Sequence, residues 1–188
     1  SKQTPSGRGF ARRKLLKNGL LSFAGLGLGA PATLADKVPL RVAVASNFRP
    51  ALDLLLQQRE VGAPPPVSIS SASTGVLFQQ IRFGAPFDLF LSADQLRPLT
   101  LYKAGIGRKP KLYCRGRLAL VSRHDLPMTA SPNRPAIKPG QQIALADPKL
   151  APYGLAADAL LQQWHIDADQ KLLATNTAQA LQWFTQGK

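Results

Sequence analysis

A chain of 188 residues with 45% hydrophobic content can bury the core of one sizeable domain or two small ones, which excludes a disordered polypeptide. Its net charge of +14 suggests a nucleic-acid binder until it is divided along the chain: residues 1–35 carry Lys2, Arg8, Arg12, Arg13, Lys14 and Lys17 and no acid, leaving the rest only moderately basic. The single cysteine, Cys114, excludes an intramolecular disulfide and a cysteine-built metal cluster, and a buried, inert thiol is expected there.

Residues 1–35 follow the order of an export signal: a cationic patch through Lys17, an apolar run from Leu20 to Leu28, then small residues at Ala30, Ala32 and Ala35. The apolar run is too short for an ordinary membrane-spanning helix. Arg12 and Arg13, followed by Lys14, Leu15 and Leu16, fit a twin-arginine signal as well as ordinary secretion. Cleavage after Ala32 or Ala35 starts the mature chain near Asp36, outside the cytoplasm. Gly25, Gly27 and Gly29 lack a preceding strand and fall within this signal, so they are not a nucleotide loop.

Leu40 to Ala45 (LRVAVA) reads as a short buried strand, interrupted by Ser46-Asn47 before a helix from Pro50 to Gln58. Gly62 to Pro66 is a loop and Val67 to Ile69 a second strand. A hydroxyl-rich turn, Ser70 to Gly75, leads into a helix from Thr74 to Phe83 that Gly84-Ala85-Pro86 stops. Asp88 to Ser92 is a third strand and Gln95 to Lys103 a short helix. This β-α-β-α-β order points to an α/β layer with a mainly parallel sheet.

Beyond a basic stretch with Arg108, Lys109, Lys111 and Arg115, Arg117 to Ser122 (RLALVS) reads as another strand. Pro127, Pro132, Pro135 and Pro139 mark an irregular connection. Gln142 to Ala146 begins a strand, Pro152-Tyr153-Gly154 a turn, and Leu155 to Trp164 a helix. Asn176 to Gln186 is helical, with Thr177 a plausible cap. The strand-helix unit thus recurs on either side of about residue 115, which implies two α/β lobes.

Ser46, Ser73 with Thr74, and Thr177 all stand near the start of a helix, where unpaired backbone N–H groups and a partial positive charge attract anions. Ser73 or Thr74 alone would be read as a helix cap. Because ligands of open α/β sheets collect at the carboxyl ends of the strands, these hydroxyls and the Tyr153 backbone N–H together describe an oxyanion pocket between two lobes.

The VAVASNF segment with Ser46, the block SASTG through QQI to GAPFDLFLSAD, the ADPKLAPYG turn and the TNTAQAL segment, in this order, resemble the periplasmic molybdate-binding proteins, solute receptors of ABC transporters. The resemblance covers most of residues 38–188. It implies a two-lobed periplasmic binding protein fold, each lobe a mainly parallel sheet flanked by helices: an export signal at 1–35, a first lobe at 36–115 and a second at 116–188. It also implies that Ser46 and Thr74 supply hydroxyl and main-chain donors, with Ser73 an alternative to Thr74, and that Tyr153 and Thr177 supply main-chain N–H groups. The family usually has Ser at the Thr74 position and a smaller residue at Tyr153. Its members continue past the equivalent of Lys188 into a strand carrying a Tyr that contacts the oxyanion and into helices completing both lobes. The chain is therefore expected to be a fragment, with the second lobe and the end of the first incomplete. No catalytic residue, cofactor or cationic metal is implied; the ligand is molybdate or tungstate, the partner an ABC permease, the location the periplasm and the state a monomer.

A fully deprotonated tetrahedral dianion offers only acceptors, so a site made of donors without a carboxylate suits molybdate, tungstate or sulfate better than protonated phosphate. Sulfate is the alternative within the same fold. A basic nucleic-acid-binding module resting on Arg97 to Arg123 is the rival class, but Tyr102 and Tyr113 are the only aromatics there and the export signal argues against it. Asp88 and Asp94 read as cap or turn residues rather than catalytic carboxylates. Ser122, His124 and Asp125 lie too close together in one loop for a relay. His165 suits a helix end, and Trp164 and Trp183 the core or a lobe interface.

Overall fold

The computed structural model describes residues 38–59, 65–123 and 135–187. The expected export signal and its cleavage sites lie outside the described residues, as do His124, Asp125, Pro127 and Pro132. Residues 40–45, an unbroken apolar run apart from Arg41, form β1 (Leu40–Ala45), with Val42 to Ala45 buried. A strand apolar on both faces requires a central place in a covered parallel sheet. β1 occupies it, parallel to β2 (Val67–Ala72) on one side and β3 (Leu89–Leu91) on the other, with Ala45 opposite Ala72 and Val44 opposite Leu91. Helices α1 (Arg49–Gln57) and α2 (Thr74–Arg82) connect these strands, and α3 (Leu96–Lys103) follows β3. Leu77 of α2 and Leu101 of α3 are buried with the β1 residues as this sheet's core, and α2 ends at Gly84 with φ 87°, the left-handed conformation that suits glycine.

The second sheet pairs β4 (Ile143–Ala146) with β5 (Lys171–Ala174) in parallel, Ile143 opposite Lys171 and Ala146 opposite Ala174. α4 (Pro152–Gln163) and a 3-10 turn at Ala168–Gln170 connect them, and α5 (Thr177–Gln186) follows β5. Leu145, Leu161 and Ile166 form its core, with Ile137, Ala157 and Trp164 packed against it. In each sheet all strands run the same way, so their carboxyl ends share one edge.

Several expected elements differ. Ser70 and Ser71 are not in a turn: they extend β2 opposite Ala43 and Val44. Pro152-Tyr153-Gly154 is the first turn of α4, where proline's fixed φ is favourable and its missing N–H costs no hydrogen bond. The expected strand Arg117–Ser122 is absent among the described elements; Leu118, Leu120 and Val121 are 42%, 43% and 60% exposed, and no described strand lies beside them to form a ladder. β5, KLLA, has no counterpart in the sequence reading. Cys114 is exposed rather than buried: residues 111–123 are all exposed and belong to no helix or strand. Asp88 stands at a bend before β3 and does more than shape it: its carboxylate accepts the Arg41 backbone N–H at 2.8 Å and both Nε and Nη2 of the Arg41 guanidinium, at 3.1 and 3.0 Å. Among the described residues no helix is long and apolar enough to cross a membrane.

Candidate functional site

The residue after each strand of the first sheet is a serine: Ser46 after β1, Ser73 after β2 and Ser92 after β3. All three are buried. Ser46 does not begin a helix. Its N–H continues the ladder to the Ala72 carbonyl at 2.9 Å, and a turn closed by the Phe48 N–H on the Ala45 carbonyl precedes α1. Its hydroxyl is thereby left at the sheet edge, where it meets Thr177 Oγ1 at 2.8 Å across 131 residues of sequence. This contact joins the carboxyl edge of the first sheet to the start of α5 beside the second.

Ser73 holds the N-cap position of α2 in an extended conformation, yet makes no capping bond. Its Oγ is buried and has no hydrogen-bond partner, the one such side-chain atom among the described residues, and Ser73 is 3% exposed. Thr74, the first helical residue, is 1% exposed and its Oγ1 accepts the Ala93 N–H at 3.1 Å. With a lone pair engaged, the Thr74 hydroxyl proton remains available for donation. Neither residue is therefore the simple cap that Ser and Thr most often are at this position. In α5 the cap is Asn176, whose Oδ1 accepts the Gln179 N–H at 3.0 Å, and Thr177 is the first helical residue rather than the cap.

All five residues named from the sequence, Ser46, Ser73, Thr74, Tyr153 and Thr177, line one cavity of about 10 Å³, together with Asn47 and Ala151. That volume holds about one water. The first turns of α2, α4 and α5 meet there, and their N–H groups have no acceptor within their own helices. No carboxylate and no ammonium or guanidinium group lines it. Such a lining can donate hydrogen bonds and supply the positive ends of three helix dipoles, but it holds no base to activate its hydroxyls and no carboxylate, imidazole or thiolate to hold a cation.

Further residues support these walls, Asp94 among them in the cap role expected of it. Ser92 Oγ accepts the Asp94 N–H at 3.2 Å, while Asp94 Oδ1 caps α3 through the Arg97 N–H at 2.9 Å and pairs with the Arg97 guanidinium. Tyr113 donates its hydroxyl to the Ser92 carbonyl at 2.9 Å and meets Phe48 edge to face at 5.0 Å. Burial, then the nearby Cys114 and Tyr153, push the Tyr113 phenol up to about 12, which keeps it a donor. The Tyr153 ring lies over Gly116, where a Cβ would fall 1.5 Å from the Tyr153 Oη. Gly75 N–H donates to the Leu150 carbonyl at 2.8 Å. Apart from the Ser92, Asp94 and Arg97 contacts, which are two and three residues apart, none of these pairings has a local sequence signal. A larger open groove of about 590 Å³ runs along α2 past Gln79, Phe83 and Ala85; it is mostly apolar and carries no charged side chain, so it offers little to fix a small ion.

A family model described as bacterial extracellular solute-binding protein matches residues 40–188. The molybdate-binding protein ModA of Azotobacter vinelandii is 34% identical over 140 residues, covering 72% of this chain and 55% of that protein. ModA of Rhodobacter capsulatus is 34% identical over 143 residues, with 73% and 54% covered, and ModA of Escherichia coli K12 is 29% identical over 151, with 75% and 59% covered. The chain thus spans about half the length of the curated relatives it matches. The solved structure of the Azotobacter vinelandii periplasmic molybdate-binding protein is similar with a TM-score of 0.60 at 26% identity, over 79% of this chain and 67% of that one.

Proposed function

Since the chain belongs to the bacterial extracellular solute-binding proteins, we propose that it captures molybdate or tungstate between two α/β lobes, residues 36–115 and 116–188, and presents it outside the cytoplasm to an ABC permease. The observation that carries this reading is the buried, unpartnered Ser73 Oγ beside the Ser46 and Thr177 hydroxyl pair. Leaving a buried hydroxyl unsatisfied costs about 1–3 kcal/mol, and an anion accepting from it recovers that cost. Thr74 donates its hydroxyl proton while accepting from Ala93, and the N–H groups of Thr74, Tyr153 and Thr177 complete the donor set. Ser46 and Thr177 spend one hydroxyl hydrogen on the bond between them; an anion between them accepts a hydrogen bond from each.

A dianion with four acceptor oxygens suits this lining, whereas phosphate at neutral pH carries a proton that no carboxylate of the cavity would accept. The donors come from both sheets, so the ion is fully held only when the two approach. The ligand stabilises that arrangement by population shift, and no bond is made or broken.

The test is thermal denaturation of the protein with each oxyanion. At a hundredfold excess over Kd, molybdate or tungstate stabilises by about 2.7 kcal/mol, a rise of roughly 5–10 °C for a chain of this size. Phosphate is expected to give little. An equal rise with sulfate would move the assignment to a sulfate receptor, and no rise with any oxyanion would overturn it.

A further inference from the structure

We propose that Gly75 is a positioning residue for the oxyanion site: its missing side chain lets the two walls of the cavity come close enough to hold one ion together. The inference rests on the reading of that cavity as an oxyanion site. Gly75 is the second residue of α2 and is buried. Its N–H, which has no acceptor within α2, donates instead to the Leu150 carbonyl in the connection between β4 and α4, at 2.8 Å. A Cβ on Gly75 would lie 2.7 Å from that carbonyl oxygen, 3.3 Å from Leu150 Cα and 3.4 Å from the Arg97 guanidinium. Two of the three obstacles are backbone, so no rotamer change relieves the clash and one segment must retreat from the other.

The contact is placed to matter. Thr74 on one side and Ala151 on the other, each the chain neighbour of a contacting residue, both line the cavity. The Gly75 to Leu150 bond therefore fixes how far apart the α2 wall and the α4 wall stand. Gly75 lies in an ordinary right-handed helix, so its conformation does not demand glycine, and alanine is the better helix former. Space alone separates the two residues here. A Cβ at 2.7 Å from an oxygen has to withdraw by roughly half an ångström or more to reach ordinary contact, and that gap opens next to the hydrogen bonds both walls make to the ion. Donors displaced by that amount still meet the ion from one wall but grip it less well from both.

Molybdate binding by calorimetry and stopped-flow is compared for the wild type, Gly75→Ala and Gly75→Val, with Gln79→Ala on the exposed side of the same helix as control. Gly75→Ala is expected to weaken molybdate about tenfold or more and Gly75→Val further, the loss appearing as faster dissociation with association nearly unchanged. Gln79→Ala is expected to bind as the wild type does. Should the glycine variants fail to fold, amide exchange in the wild type tests the same point: saturating molybdate slows the Gly75 amide more than the Leu172 amide in β5. Wild-type binding with no change of dissociation rate in folded Gly75→Ala, or no added protection at Gly75, would overturn the proposal and leave the oxyanion reading standing. Absence of any oxyanion binding by the wild type would instead remove the reading on which it rests.

Discussion

A buried hydroxyl without a hydrogen-bond partner is a free-energy cost, and Ser73 carries one at 3% exposure. Thr74, next to it and equally enclosed, is different, since its oxygen already holds the Ala93 N–H. The two neighbours therefore make opposite predictions. Ser73→Ala removes an unsatisfied atom and should leave thermal stability unchanged or raise it by about 1 kcal/mol, while weakening molybdate by roughly ten- to a hundredfold, one charge-assisted hydrogen bond being worth about 1.5–3 kcal/mol. Thr74→Val keeps the shape but strands the Ala93 N–H, so it should cost about 1–3 kcal/mol of stability as well as affinity. Denaturation and calorimetry on the two variants separate these effects, and a Ser73→Ala protein that is both less stable and equally tight would remove Ser73 from the site. That both hydroxyls stand at a helix start was legible in Ser-Thr-Gly followed by an apolar periodicity; which of them is satisfied was not, because the Ala93 donor lies 19 residues away.

At the scale of elements, the first sheet was legible and the second only in part, β4 being read at Gln142–Ala146 and β5 missed, for a physical reason. LRVAVA announces a buried strand by an apolar run that only a covered sheet can accommodate, and β1 is that strand; DLFLS announces β3 equally well, but β3 lies at the edge of the described sheet and is not buried, with Leu89 42% exposed. RLALVS at 117–122 carries as strong a local pattern, but a strand exists by its ladder, and no described strand lies alongside. KLLA has a weaker pattern, without a single β-branched residue, and becomes β5 because β4 offers it an edge. Pairing outweighs propensity in both cases. The Arg41 and Asp88 pair, which ties the exposed end of β1 to the start of β3, gives this sheet a pH dependence. Hydrogen bonds from the Arg41 side chain and then its backbone hold the Asp88 carboxyl down to about 2, from an ordinary value of 3.8. A carboxyl whose folded value is depressed adds stability that is present above 3.8 and lost as pH falls towards 2. The gap between wild-type and Asp88→Asn melting temperatures is therefore expected to be constant near neutrality and to narrow below pH 4, and a gap that stays constant to pH 2 would show that the pair does not set it.

At the scale of the molecule, the site is made by contacts that span most of the sequence, with Ser46 and Thr177 touching across 131 residues and Gly75 bonding to Leu150. Local patterns can nominate such residues one by one, and a shared strand-to-helix position can suggest that they converge, but the glycines that let the walls meet look like ordinary glycines until their neighbours are in place. Charge acts at this scale too. The cavity itself has no cation, while Arg108, Lys109, Lys111, Arg115 and Arg117 stand exposed along one extended segment without an acid among them. On the proposed function, capture and holding would be separate: uncharged donors lining the cavity would fix the ion's geometry, and the exposed cations would raise the rate at which a dianion arrives, an effect screened over about 10 Å at 0.1 M salt. Stopped-flow association of molybdate should slow several-fold between 0.02 and about 0.5 M sodium chloride, with dissociation almost unchanged. Replacing Arg115 and Arg117 by Gln should flatten that salt dependence without altering the dissociation rate. A salt effect carried by dissociation would mean that the basic segment contacts the bound ion directly, contrary to a cavity held by neutral donors alone.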